Sequence, residues 1–318
     1  MNYGFKDKLD FAFSVLPTKA KEIAERLDSD SANDICEIRL RSNRPLLVSL
    51  KNEKFFLTPE GRFTKNPDEA FVVSAAMMKE AFNRLCSFSV YSFQKELIDG
   101  YVTIKGGHRV GVCATAVYDG ERLSTVKDVT SLNIRVAREV PFCAKRIYES
   151  TEHYSHGVLI SGPPGCGKTT VLRDLARALS MKNRNVTIID ERGEISGTFG
   201  GVVYNDIGMC DVLNGYTKSD GIMRAIRCLN PDFVVCDEIG TENDCKAIAE
   251  AINTGTAIAA TFHADSAEGI LNAKRGRALL STGAFKTIVM LSGGAKPSEI
   301  EGIYKVTLNE TVKLTRME

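Results

Sequence analysis

The run GPPGCGKTT, from Gly162 to Thr170, limits what this chain can fold into more than any other stretch. It fits the pattern Gly-x4-Gly-Lys-Thr. An apolar VLI precedes it as a strand, and TVLRDLARAL follows with Val171, Leu172, Leu175 and Leu179 at helical spacing. Strand, glycine loop and helix are the context that phosphate binding requires. The glycines let backbone N–H groups close around phosphate oxygens without Cβ clashes, and the helix N-terminus adds positive partial charge. Gly162, Pro163, Pro164, Gly165, Cys166, Gly167, Lys168, Thr169 and Thr170 are therefore the candidate ATP-binding residues. Lys168 is expected to reach the β and γ phosphates, and the Thr169 hydroxyl to ligate Mg²⁺. Cys166 raises a smaller expectation: a thiol at a helix N-terminus has a lowered pKa, so its oxidation would block ATP, unless a small residue is simply tolerated there.

From about Gly157 the chain alternates short apolar runs (GVLIS, NVTIID, FVVCDE, AIAATF, KTIVML) with helical stretches. That texture predicts an α/β fold with a mostly parallel sheet covered by helices. In such sheets the strand ends on one side converge on the ligand crevice, and several of these strands end in chemistry. FVVCDEIG ends in Asp237, expected to hold Mg²⁺ through its water shell, and Glu238, expected to polarise an attacking water. TIIDERGEISG ends in Asp190, Glu191, Arg192 and Glu194, either a second acidic set for the water or the metal shell, or an ion-paired loop. AIAATFHAD places His263 at the crevice edge, where it could sense the γ-phosphate through a neighbouring acid. LSGGA, Leu291 to Ala295, resembles a transporter signature but falls after the acidic strand rather than before it, so it reads as a loop.

The first part of the chain has a different texture. Residues 5–27 read as helix broken at Pro17, EIRLRSNRPLLVSL alternates like half-buried strands, and a helix is expected to start at Pro67–Glu69 and run through AFNRL. DGYVTIKGGHRVGV reads as a hairpin turning at Gly106 and Gly107. The expected division is therefore an α+β domain over 1–150 and a P-loop domain over 151–318, joined by EVPFCAKRIYESTEHYS.

Composition bounds the function. Lys and Arg number 41 against 40 Asp and Glu, and neither half carries a basic field, so nucleic acid is not an expected partner. The nine cysteines form no CxxC pair and read as reduced thiols in a cytosolic protein. Charges break the N-terminal MNYGFKDKLDFAF, leaving no signal-peptide core, and no run approaches a membrane span.

In order and spacing, GPPGCGKTT, DERGE, CDEIG and TFHAD resemble the Walker A loop, acidic box, Walker B strand and histidine box of the type II and type IV secretion ATPases. Within that superfamily the resemblance is closer to the stage III sporulation protein AA family, through DERGEI and DEIG and through EIRLRSNRPLLV and GGHRVGV upstream. The resemblance implies a RecA-like domain in a homo-hexameric ring, Mg²⁺-dependent ATP hydrolysis, and catalytic roles for Glu238, Lys168, Glu191, Glu194 and His263. It also implies arginines that complete the site, with Arg227 and Arg224 before Walker B and Arg39, Arg41, Arg109 and Arg135 upstream as candidates. The implied partner is an integral membrane protein of the sporulation channel between mother cell and forespore, with this chain on the cytoplasmic face of the mother cell. Two departures stand out: Asp237 replaces the family's glycine at Walker B, and Asp190–Glu191 replaces Glu-Asp in the acidic box. The rival expectations are a nucleic-acid-stimulated RecA-like motor and a nucleotide-gated scaffold with slow turnover.

Overall fold

The computed structural model describes residues 5–50, 53–150, 156–293, 297–309 and 311–317. It separates into one unit of Met1–Arg138 with Gly197–Asn205 and another of Glu139–Ser196 with Asp206–Glu318. The division thus falls at Arg138 rather than near residue 150, and a short segment from the second half of the chain groups with the first unit.

The first unit begins with helices α1 (Phe5–Phe13), α2 (Thr18–Ala24) and α3 (Ser29–Asn33). Then come β1 (Ile35–Arg41), β2 (Arg44–Pro45), β3 (Leu47–Leu50), β4 (Glu53–Leu57), β5 (Phe63–Thr64) and β6 (Val72–Val73). Helices α4 (Ala75–Leu85) and α5 (Gln94–Ile98) lead to β7 (Tyr101–Ile104), β8 (His108–Asp119) and β9 (Arg122–Arg135). The main sheet is antiparallel in the order β5-β4-β3-β1-β9-β8-β7. Its alternating pattern becomes cross-strand packing: buried Ile38 pairs with buried Ile134, and Leu40 with Leu132. The expected hairpin through Gly106 and Gly107 is present as β7 and β8. The helix expected from Pro67 is not. Pro67–Glu69 is a single 3₁₀ turn, β6 intervenes, and α4 starts after Ser74, whose hydroxyl accepts from the Met77 N–H. The Ser N-cap outcompetes the Pro-Asp-Glu signal because extended Ala70–Val73 carries the pairing to β2.

Deep in this unit sits a fully buried imidazole. His108 Nδ1 accepts from the Ala137 N–H at 2.9 Å, which leaves Nε2 to donate to the Lys8 carbonyl at 2.6 Å. Burial pulls its pKa down to about 4, outweighing the hydrogen bond to Lys8, so the ring is neutral. The buried Lys8 ammonium in turn donates to Asn205 Oδ1 at 2.8 Å, and Phe11 meets Tyr204 edge-on with ring centroids 5.1 Å apart. These contacts account for the grouping of Gly197–Asn205 with this unit.

The second unit contains α6 (Lys145–Ser150), β10 (Gly157–Gly162), α7 (Lys168–Ser180), β11 (Val186–Asp190), β12 (Asp211–Asn214), α8 (Lys218–Cys228) and β13 (Phe233–Cys236). These are followed by α9 (Glu242–Asn253), β14 (Ala257–His263), α10 (Ala267–Asn272), α11 (Lys274–Ser281), β15 (Phe285–Leu291), β16 (Ile300–Leu308) and β17 (Val312–Arg316). The sheet order is β12-β11-β13-β14-β10-β15-β16-β17, parallel from β12 to β15 and closed at one edge by antiparallel β16 and β17. Strands β10, β11 and β13 are buried at every position, as continuous apolar runs in a covered parallel sheet should be. Of the expected linker, residues 151–155 lie outside the described residues.

Candidate functional site

Parallel register brings the motifs level. Gly162 pairs with His263, Ile189 with Cys236, and Cys236 with Ala260, so the residues following β10, β11, β13 and β14 emerge along one edge. The loop after β10 needs its glycines. A Cβ on Gly162 would lie 2.7 Å from Cys166 Sγ and 2.8 Å from the Leu291 carbonyl. Gly167, at φ +94, is the left-handed N-cap of α7 and offers no side chain to its first N–H groups, which are left for an anion. Lys168 is buried, and its ammonium donates to the Gly162 and Pro163 carbonyls at 2.9 and 2.8 Å, bridging the base of the loop.

Of the two readings of Cys166, the lowered pKa does not fit its surroundings. Burial pushes its thiol up, and the nearby Lys168 ammonium only partly offsets this, so the helix N-terminus does not make it a reactive thiolate. The stretch read as a loop after Leu291 also acquires a place: a Cβ on Gly293 would come 2.8 Å from Pro163, and Ser298 donates its N–H to the Cys166 carbonyl at 2.7 Å. Ala295 and its two neighbours lie outside the described residues. LSGGA is therefore no transporter signature here, but its described residues brace the phosphate loop from outside.

The two acids after β13 point to different work. The Thr169 hydroxyl donates to Asp237 Oδ2 at 2.5 Å, and the Thr261 hydroxyl donates to Asp237 Oδ1. Thr261 also accepts from the Glu238 N–H at 2.8 Å, holding Glu238 in a left-handed conformation at φ +50. A non-glycine residue in that region costs of order 1 kcal/mol or more, the kind of strain that functional sites retain. The Glu238 side chain lines the cleft. There Arg192 Nη1 lies 2.6 Å from Oε2 and His263 Nε2 lies 3.3 Å from Oε1. Burial alone would raise the Glu238 pKa; the hydrogen bond from His263 and the charges of Arg192, His263 and Lys218 outweigh it and hold the carboxyl below its ordinary value.

The acidic box divides its labour. Asp190 is buried and accepts from the N–H groups of Glu194, Ile195 and Ser196 at 3.0, 3.3 and 2.8 Å and from the Ser196 hydroxyl at 2.6 Å. From α7, buried Arg173 clamps the same turn by donating to the Glu194 and Ile195 carbonyls, each at 2.6 Å. Glu191 pairs with Lys218, the first residue of α8. Asp190, Glu191, Arg192, Glu194, Lys218, Asp237 and Glu238 line one cleft. The set thus combines an ion-paired loop with acids at the crevice.

Arg227 does not join this group within the chain. It is exposed in the last turn of α8, about 13 Å along the axis from Lys218 at 1.5 Å per residue. Arg224 stacks over Tyr216. Arg39, Arg41, Arg109 and Arg135 belong to the other unit, where Arg39 pairs with Glu37 and Arg109 covers the Tyr101 ring. Thr261, Lys218 and Arg173 are the site residues that motif reading passed over. Thr261 is a lone hydroxyl in an apolar strand, and Arg173 interrupts an apolar helix face, which were the available signals.

The hydroxyl of Thr169 beside the Asp237 carboxylate is an all-oxygen donor set of the sort Mg²⁺ takes, so the residues present fit that ion. Comparison with known proteins agrees with the geometry. The family described as "Sporulation stage III, protein AA" matches residues 6–310. Stage III sporulation protein AA of Bacillus subtilis is 32% identical over 297 residues, spanning 91% of this chain and 93% of the relative. Among solved structures, the Legionella pneumophila ATPase DotB superposes with a TM-score of 0.54 at 15% identity, over 95% of this chain and 80% of that one. The pilus retraction motor PilT with bound ADP gives a TM-score of 0.54 at 15% identity, over 94% of this chain and 81% of that one. At that identity the likeness is one of fold, and it is the α/β fold with a preceding α+β part that the sequence predicts.

Proposed function

The chain belongs to the sporulation stage III protein AA family, and from that premise we propose that it is a Mg²⁺-dependent ATPase of the secretion type, working as a homo-hexameric ring that energises a membrane channel or export complex of sporulation. The observation that carries this reading is the hydrogen-bonded chain Thr169–Asp237–Thr261–Glu238, which ties the phosphate loop to an acid in the cleft. The shared fold with the ATPase DotB and with the pilus retraction motor PilT supports the ATPase motor, while the ring and the membrane partner follow the resemblance of the four motifs to the secretion ATPases. None of the helices among the described residues is long and apolar enough to cross a membrane.

In this mechanism the loop N–H groups and Lys168 bind the phosphates of ATP. Thr169 and Asp237 would hold Mg²⁺, which would supply positive charge to the phosphates. Glu238 orients a water and accepts its proton as the water oxygen bonds to the γ-phosphorus and the β–γ bridging bond breaks, leaving ADP and phosphate. Asp190 and Arg173 keep the acidic turn in place, Glu191 fixes Lys218, Glu194 lines the cleft, and His263 reports on Glu238. Arg227 and the upstream arginines act, in this reading, across the ring.

The test is Glu238→Gln. ATP binding is expected to persist while multiple-turnover hydrolysis falls by about 100-fold or more, and light scattering in Mg·ATP should give a mass near six subunits. Turnover at the wild-type rate would remove Glu238 from the chemistry. ATP binding without turnover in the wild type, even with its membrane partner, would make the chain a nucleotide-gated scaffold.

A further inference from the structure

Arg192 is placed in the cleft against the carboxylate that the mechanism must use. Its guanidinium lies 2.6 Å from the carboxylate of Glu238, the acid that has to meet a water. A carboxylate paired in this way has an oxygen already engaged in a charge-assisted hydrogen bond, so that oxygen is closed to a water. The pairing therefore opposes the step assigned to Glu238 for as long as it lasts.

We propose that Arg192 is a catalytic residue supplied from within the same chain: its guanidinium exchanges between two anions, the Glu238 carboxylate and the terminal phosphate of a bound nucleoside triphosphate. This rests on the nucleotide reading given above and assigns a group that recognises the third phosphate. Three observations carry it. Arg192 and Glu238 remain 41% and 38% exposed at their side chains, so the pair is open to a competing anion rather than locked in the core. Both side chains line the cleft that Asp237, Glu191 and Lys218 share, and Asp237 touches Thr169 of the phosphate loop, so the cleft adjoins the loop that would hold the phosphates. The backbone on either side of Arg192 is anchored, by Asp190 through Glu194, Ile195 and Ser196 and by Arg173 through the Glu194 and Ile195 carbonyls. The guanidinium thus moves by side-chain rotation from a fixed base.

The chemistry favours the exchange in one direction. A terminal phosphate carries more charge than a carboxylate and presents three oxygens to the planar fork of an arginine. Transfer of the guanidinium frees Glu238 to accept the proton of the water. The same positive charge then faces the γ oxygens as the bond to the water oxygen forms and the bridging bond to ADP breaks. ADP lacks the terminal phosphate and leaves Arg192 on Glu238. Only a triphosphate arms the base, which limits idle reaction of the site.

The experiment compares wild type, Arg192→Ala and Arg192→Lys. It measures affinity for ADP and for a non-hydrolysable ATP analogue, and kcat and KM for Mg·ATP. Arg192→Ala is expected to bind ADP within about twofold of wild type and to lose the preference for the analogue. Its kcat should fall by about 1000-fold, the scale of a phosphate-directed arginine, with KM rising by the factor of analogue preference that is lost, and Arg192→Lys should recover part of both losses. An Arg192→Ala protein that keeps the analogue preference, or turns over at or above the wild-type rate, would overturn the proposal and leave Arg192 as a brake on Glu238. If wild type hydrolyses nothing by itself, the two affinities still decide. Failure of wild type to bind ADP at all would instead remove the nucleotide reading, and Arg192's role with it.

Discussion

Strands β11 and β13 look alike in sequence, apolar runs that end in acids, yet their acids have opposite fates. Asp190 is saturated by donors from its own turn, three of them backbone N–H groups that cannot rotate away. Asp237 takes only one backbone N–H, from Glu238 at 3.1 Å, and its other hydrogen bonds come from two hydroxyls on two other elements, Thr169 and Thr261. A hydroxyl is both donor and acceptor and can turn to a water or a cation, whereas a backbone N–H in a closed turn has one use. What surrounds an acid, more than its place at a strand end, separates a structural carboxylate from one available to chemistry.

The sharpest way to break that comparison is to remove each acid in turn. Asp237→Ala is expected to lower hydrolysis by about 1000-fold through loss of its place beside the metal site, with little change in melting. Asp190→Ala should instead lower stability by about 3 kcal/mol, because it orphans several buried donors, and activity should fall only as the turn loosens. Chemical denaturation paired with an ATPase assay reads both, and an exchange of the two phenotypes would overturn the distinction.

A smaller effect asks whether a buried polar group in the other unit behaves as Asp190 does. His108 is held neutral with a pKa of about 4, while an unfolded histidine titrates near 6.5. Between these values the unfolded chain binds the additional proton, so the stability contribution is complete above about pH 6.5 and is lost as pH falls towards 4. Lowering pH from 7.5 to 5.5 should cost about 1.4 kcal/mol, visible as a lower midpoint of chemical denaturation. A His108→Gln protein should show a flatter pH response. The smallest effect belongs to Glu191→Gln, which removes a partly exposed ion pair with Lys218. Hydrolysis should fall by less than about fivefold, and a larger loss would move Glu191 from support to chemistry.

The phosphate loop was legible because its backbone needs are written in residue type: a Gly where a Cβ would meet Cys166 and Leu291, a Gly at positive φ, and a Lys beside them. The parallel strands were legible as runs buried at every position. The start of α4 was not, since two capping signals compete over Pro67–Ser74 and pairing with a distant strand decides between them. Nor was the segment Gly197–Asn205, whose partners Lys8 and Phe11 lie near the opposite end of the sequence.

The amino-acid sequence by itself determined the β-loop-α phosphate site, the parallel sheet and the row of polar strand ends, because periodicity and glycine geometry are local. Only the tertiary structure decided which acid is spent on a turn, which lines the cleft at φ +50, and that Arg192 and His263 share Glu238. Those outcomes depend on strand order and register, which bring residues far apart in the chain within hydrogen-bonding distance. No local pattern encodes that distance.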